Sequence, residues 1–315
     1  MEQEFEEKFN QIYDVVSDEV KAELKMVKKI ISKYLAILII VAILVCFFMY
    51  TTKKGRIYVP FAIALSLMII GFVYTGGRQI YRRKFKSSVI IAILNEYMDT
   101  LGFDSRKGFP VSRYKEFGLD QGFNDYYSED QISGTLPTAE KVTIAEVRTK
   151  IVEVEQEKSG YTQKNEKELF HGMFGEIELH KSISARISLN VDNFMRKYSR
   201  DRIEVDSEEF ESYFDLSSDN RILAMQIFTA DLMEKILEIK KLNKHYNYEL
   251  KIFGNTVFFR YSCGDLFEPP MVGIGVSRER VKEYFRNIYY PLEILKSLVE
   301  NINFVNDVEV KNIDL

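Results

Sequence analysis

Three histidines, His171, His180 and His245, and two cysteines, Cys46 and Cys263, are the side chains of this 315-residue chain best suited to hold a metal or attack a substrate. Their spacing argues for neither. Zinc sites recur with paired ligands a few residues apart, and no His/Cys/Asp/Glu group here repeats such a pattern. His171 and His180 stand nine residues apart on one predicted strand, so they lie far apart along it and on opposite faces. The expectation is no metal site, with histidines that are solvated or at the edge of a core.

The other chemical candidates are two loops. "GDLFEPP" offers Asp265 and Glu268 as a carboxylate pair, but acid–base catalysis needs two carboxylates across a substrate, a geometry sequence neighbours rarely supply. A loop with Leu266 and Phe267 turned into the core is expected instead. "MVGIGVSRERV" places Gly273-x-Gly275 before a helix that starts at Ser277 and Arg278. A dinucleotide fingerprint requires a preceding strand and a third glycine, and here Pro269-Pro270 precede the glycines. A capped helix after a loop is expected. With no nucleophile elbow, Walker loop or kinase set, no catalytic residue and no cofactor are assigned.

The elements that must position any site begin with two long apolar runs. Tyr34 to Tyr50 and Ile57 to Gly76 are 17 and 20 residues without a charge. A hydrocarbon core about 30 Å thick needs about 17–25 residues of apolar helix, so the chain is expected to hold a transmembrane helical hairpin over 34–76 (spans 34–50 and 57–76). Lys33 and Lys53 flank the shorter run and can snorkel, and Tyr34, Tyr50, Tyr58 and Tyr74 sit near the ends, where amphipathic rings settle. The first run starts too deep, after a charged stretch, to read as a signal peptide.

Ten cations lie outside the hairpin ends: Lys21, Lys25, Lys28, Lys29 and Lys33 before it, Arg78, Arg82, Arg83, Lys84 and Lys86 after it. Only Lys53, Lys54 and Arg56 lie in its loop. Cations gather on the cytoplasmic side, so both termini are expected there. Arg78, Arg82, Arg83, Lys84 and Lys86 are also candidates for contact with anionic headgroups, at about 1 kcal/mol per cation near the surface.

Ahead of the hairpin, Phe5, Phe9, Ile12, Val16, Val20, Leu24, Val27 and Ile31 recur at spacings of three and four, the stripe of an amphipathic helix over 1–33. It is expected to pack on the protein's own body, with self-association as the alternative. Residues 77–102 read as a basic juxtamembrane helix.

Residues 103–315 read as a soluble α+β domain built mainly on antiparallel strands. A turn signal at Ser133-Gly134 and Pro137 precedes alternation through Val142, Ile144 and Val147. "EKSGYTQKNEKE" (157–168) reads as a loop, "LFHGMFGEIELHK" and "SARISLNV" as separate strands, and "DRIEVDSEEFESYFDL" as a short strand with a turn. Asp219 to Leu242 is helical, with Thr229 capping a second helix, and Gly254-Asn255 reads as a tight hairpin turn. A final helix begins near Ser277 and is bent or broken at Pro291.

The composition is that of a folded body with a small membrane portion: 46% hydrophobic, 29% charged and a slightly negative mean hydropathy. Residues 1–100 carry 14 Lys/Arg against 10 Asp/Glu, a net of +4, and residues 101–315 carry 29 against 37, a net of −8. An acidic body argues against nucleic acid. Cys46 and Cys263 are too far apart in character to pair, which suits a reducing compartment.

"SEDQISGTLPTAEKVTIAEV", "LFHGMFGEIELHK", "EFESYFDLSSDNRILAMQIFTADLMEKILEI" and "GDLFEP", in that order and together with the paired spans, resemble a bacterial domain-of-unknown-function family numbered 3137. The resemblance implies a two-span protein of the bacterial cell membrane with no established activity. LemA-like membrane proteins are an implied partner class, and no catalytic residue can be carried over. The sequence reading is therefore an α+β protein, a long N-terminal helix and transmembrane hairpin followed by an antiparallel-sheet domain with packed helices. It is expected to act as a non-enzymatic adaptor for a protein or ligand, against the alternatives of a membrane-tethered enzyme and a structural homo-oligomer.

Overall fold

A computed structural model describes residues 2–52, 54–95, 98–120, 122–156, 162–192, 200–242, 245–266, 268 and 277–313. The chain is α+β and divides into two units, Glu7–Ala92 with Phe267–Val281, and Met1–Glu6 with Ile93–Leu266 and Lys282–Leu315.

The first unit is helical. Helix α1 (Glu2–Thr51) carries the first apolar run to its last turn, and a 3-10 turn at Gly55–Tyr58 leads into α2 (Val59–Phe85). The turn is tight. The Thr52 hydroxyl accepts the Gly55 N–H at 3.1 Å, and a Cβ at Gly55 would stand 2.4 Å from the Met49 carbonyl, so glycine is required there. Pro60 falls at the start of α2, where its missing N–H has no partner to lose. A π-turn (Lys86–Ile90) and the short α3 (Ile91–Leu94) follow. The basic helix expected to reach residue 102 ends sooner, because Asp99–Asp104 is strand β1, paired with β2.

The second unit is built on one antiparallel sheet in the order β1-β2-β3-β4-β5, with β6 also on β4. β2 (Asp125–Thr135) and β3 (Lys141–Gln156) form a hairpin whose turn, Leu136–Glu140, holds the Pro137 signal and is closed by the Leu136 N–H donating to the Glu140 carbonyl at 2.9 Å. Ser133 and Gly134 lie within β2.

β4 (Thr162–Val191) replaces the two strands expected at 169–181 and 184–191 and the 162–168 part of the loop expected at 157–168. Its Gly172–Glu178 segment lies between β3 and β6, and Ile187–Leu189 lies between β6 and β5 (Phe214–Ser218). The polar "TQKNEKE" becomes strand because β3 offers it a partner from Gln156 back to Lys150. Apolar residues alternate inward along the later part, with Ile177, Leu179, Ile183, Ala185, Ile187 and Leu189 all buried.

The hairpin expected at Gly254-Asn255 does not form. Asn247–Ser262 is one strand, β6, whose two halves both pair with β4 instead of with each other. Gly254, at φ +59°, is a kink in the ladder at the point where β4 skips from Glu178 to Ile183.

The helices behave closer to expectation. α4 (Val111–Phe117) buries Tyr114 and Phe117 in an aromatic cluster with Phe109, Phe170, Phe174 and Phe258. In "DRIEVDSEEFESYFDL", Ser207 caps a helical turn, α5 (Glu208–Glu211), ahead of β5. Asn220 caps α6 (Arg221–Ile227), and the Thr229 hydroxyl accepts the Leu232 N–H of α7 (Ala230–Leu242) at 3.4 Å. α8 (Arg278–Ile313) runs on through Pro291 without a break. Asn301 and Asn303 of α8 donate to the Ile227 carbonyl and to Glu140, each at 2.8 Å, joining the helix to α6 and to the β2–β3 turn.

Phe5, in the first turn of α1, is buried against Phe285, Tyr289 and Tyr290 of α8, with ring centroids 5.2–5.5 Å apart. The start of the amphipathic stripe is thus covered by the protein's own body.

Arg260 of β6 is only 10% exposed and meets two carboxylates slightly deeper than itself. It donates to Glu249 and, at 2.8 Å, to Asp120, while Thr149 and Tyr114 also donate to Asp120. Burial alone would lower the Arg260 pKa, but Glu249, Tyr114 and Asp120 outweigh it and hold the guanidinium charged.

Two substitutions test this packing, both read by denaturant unfolding of the full chain in detergent. Arg260→Met strands two buried carboxylates and should cost about 3–5 kcal/mol; a loss below about 1 kcal/mol would mean that water reaches them. Phe5→Ala should cost about 3 kcal/mol by leaving a cavity, and an unchanged midpoint would mean that the first turn of α1 does not pack on α8.

Candidate functional site

In the helical unit the candidate surface is apolar. Lys25–Thr51 and Gly55–Leu94, 27 and 40 residues, are long and apolar enough to cross a membrane. A helix of a soluble core would bury its apolar side chains, yet only 6% and 0% of the most apolar windows of these two are buried. Phe47, Phe48, Phe61, Met68 and Phe72 all stand outward. The helices approach closely at Gly77, where a Cβ would sit 3.1 Å from Ile31. At the connecting turn, the Arg56 guanidinium lies over the Tyr50 ring at 4.7 Å and donates to the Tyr50 carbonyl.

The five cations singled out after the second run fall into two groups. Arg78, Arg83 and Lys84 are exposed. Arg82 pairs with Glu268, and Lys86 is 1% exposed with its ammonium 3.9 Å from the same carboxylate. Lys86 is therefore withdrawn from any headgroup. Glu268, considered in sequence as half of a catalytic pair with Asp265, instead counters these two cations.

In the sheet unit, Asp265 comes to a different place. Glu146 of β3 and His171 of β4 lie diagonally on neighbouring strands, since Glu146 pairs with Met173 and Arg148 with His171. The loop after β6 folds over them. Gly264, at φ +72°, donates its N–H to the His171 carbonyl at 3.1 Å, and buried Leu266 donates its N–H to Glu146 Oε2 at 3.1 Å. These two bonds deliver Asp265 Oδ1 to 3.3 Å from His171 Nε2, the same distance as Glu146 Oε1.

Gly172 makes the approach possible, because a Cβ there would meet the Tyr261 carbonyl at 2.1 Å. Glu168 Oε2 lies 3.7 Å from the other ring nitrogen. The contact with Glu146 raises the His171 pKa against the effect of burial, with Asp265 and Glu168 adding to it. Next to the cluster, burial pushes the Cys263 thiol far up, so it is held as an unreactive thiol.

Sequence spacing missed this cluster because its members come from two strands and a loop. The only local signals were His171-Gly172 and Cys263-Gly264-Asp265, each a polar residue beside a glycine that lets backbones close in. His180 and His245 are exposed and outside it. Gly273 and Gly275 lie outside the described residues, as does Phe267. Ser277 caps α8, accepting the Arg280 N–H at 3.2 Å.

A cleft of about 510 Å³ opens beside β4 and β6, lined by Glu116, Arg186, Ser188, Lys251, Phe253 and Phe258 among others. Arg186 stacks over Phe253 at 4.8 Å, so the cleft offers cations over an apolar floor.

None of the curated proteins compared with the chain matches it. The crystal structure of the mycobacterial trehalose monomycolate transport factor A, TtfA, is similar with a TM-score of 0.35 at 10% identity, over 69% of this chain and 94% of that one. Residues 168–300, from β4 to α8, match the family model described as a protein of unknown function, DUF3137.

Proposed function

We propose that this chain is an integral membrane protein whose helix pair holds the α+β unit at the cytoplasmic face, where it binds a protein or ligand as an adaptor. The observation that carries the reading is the outward apolar surface of the two helices, which water would not tolerate on such lengths. Exposed Arg78, Arg83 and Lys84 then meet anionic headgroups on the inner leaflet, and the Arg56–Tyr50 pair lies on the outer side. The cleft at Arg186 and Lys251 favours a partner that presents acidic groups beside an apolar segment.

Thiol labelling of intact cells tests the arrangement. Cys46 and Cys263 are replaced by alanine, and single cysteines are placed at exposed Lys54 or at exposed Ser184. Gly55 is avoided because the turn has no room for a side chain. A membrane-impermeant reagent should label Lys54→Cys alone. Labelling of Ser184→Cys alone would reverse the orientation and move the partner search outside the membrane. Neutralising Arg78, Arg83 and Lys84 together to Gln should blur the orientation, giving partial labelling at both positions.

A further inference from the structure

We infer that Glu146, His171 and Asp265 form a binding site for one divalent first-row transition-metal ion, with Zn2+ the occupant that the donor set fits best. The argument is geometric. Glu146 Oε1 and Asp265 Oδ1 each stand 3.3 Å from His171 Nε2, and the three donor atoms lie within 4.8 Å of one another. Bonds of about 2.0–2.1 Å to a tetrahedral Zn2+ put neighbouring ligand atoms about 3.3–3.4 Å apart. The same atoms make an indifferent hydrogen-bonded cluster. One ring N–H would have to be shared between two carboxylates, and the 3.3 Å hydrogen bond to Glu146 is long against the usual N–H···O range of about 2.7–3.2 Å.

The surroundings hold each donor as a ligand. Glu146 is buried, and its second oxygen is occupied by the Leu266 N–H, which leaves Oε1 to face the imidazole. The Asp265 loop is tied to β4 by the Gly264 N–H and to the core by Leu266. Metal-binding imidazoles commonly present the other nitrogen to a carboxylate, and Glu168 stands on that side of the ring. Asp265 is 60% exposed, so an ion can enter from solvent and keep a water as a fourth ligand. Two carboxylates and an imidazole suit Zn2+ or Mn2+ better than the harder Mg2+ and Ca2+, which take all-oxygen shells.

The test uses the full, tag-free chain in detergent, stripped with a chelator and titrated with ZnCl2 by calorimetry. Bound metal is counted by mass spectrometry after gel filtration. About one Zn2+ per chain is expected. His171→Ala and Asp265→Ala should each weaken binding by at least about tenfold, while His180→Ala leaves it unchanged. Asp265 is exposed, so its variant keeps the fold even if the His171 variant does not, and circular dichroism checks this. Co2+ in place of Zn2+ should give the visible absorption of a low-coordinate site, absent in Asp265→Ala. Zinc well below one per chain, affinity unaltered in Asp265→Ala, or an equal loss in His180→Ala would each overturn the assignment.

Discussion

The buried Arg260 guanidinium is the interaction on which the sheet unit depends. It gathers Asp120 from the segment after α4, Glu249 from the start of its own strand and, through Tyr114, α4 itself. Phe170 and Phe117 close over it, with their ring centroids 4.9 and 5.5 Å from the guanidinium carbon. Burying three charges is expensive, and the cost is offset only when every one is hydrogen-bonded in good geometry. The same demand for geometry makes the network specific. α4 can take only the position that brings Asp120 and the Tyr114 hydroxyl to Arg260, and so the aromatic cluster forms in one arrangement.

β4 distributes that order. A central strand with neighbours on both sides leaves few backbone groups unpaired, and its own side chains are set by the register of three partners. His171 and the wall of the cleft at Arg186 and Ser188 are fifteen or more residues apart on this one strand. The loop that carries Asp265 is the direct continuation of β6, the strand that β4 holds along both halves. The site and the cleft therefore share one rigid support, while the helix pair owes its stability to separate contacts such as Gly77 against Ile31.

What could be read in the sequence was what depends on near neighbours. The apolar runs, the Thr229 cap and the strand character of "SARISLNV" are local, and each reappears in the fold. The failures have one cause. Gly254-Asn255 has the chemistry of a hairpin turn, but the two flanking runs find better partners in β4. "TQKNEKE" has the composition of a loop, yet β3 supplies it with a ladder. Arg260, Asp120 and Glu249 gave no signal, because an arginine 140 residues from one carboxylate and 11 from another has no pattern to recognise. Glu146, His171 and Asp265 were hidden for the same reason, and only the glycines beside two of them hinted that backbones meet there.

The kink at Gly254 has a consequence for how the protein tolerates change. On one side of it β4 is clamped by β3 and β6, on the other by β6 and β5, and the Glu178–Ile183 stretch between the clamps has irregular pairing. A one-residue insertion in an ordinary strand would turn every later side chain to the wrong face. Here the slack between the clamps can absorb it, so the two ends of the longest strand are free to diverge independently. Sequence drift at the His171 end need not disturb the cleft at the Arg186 end.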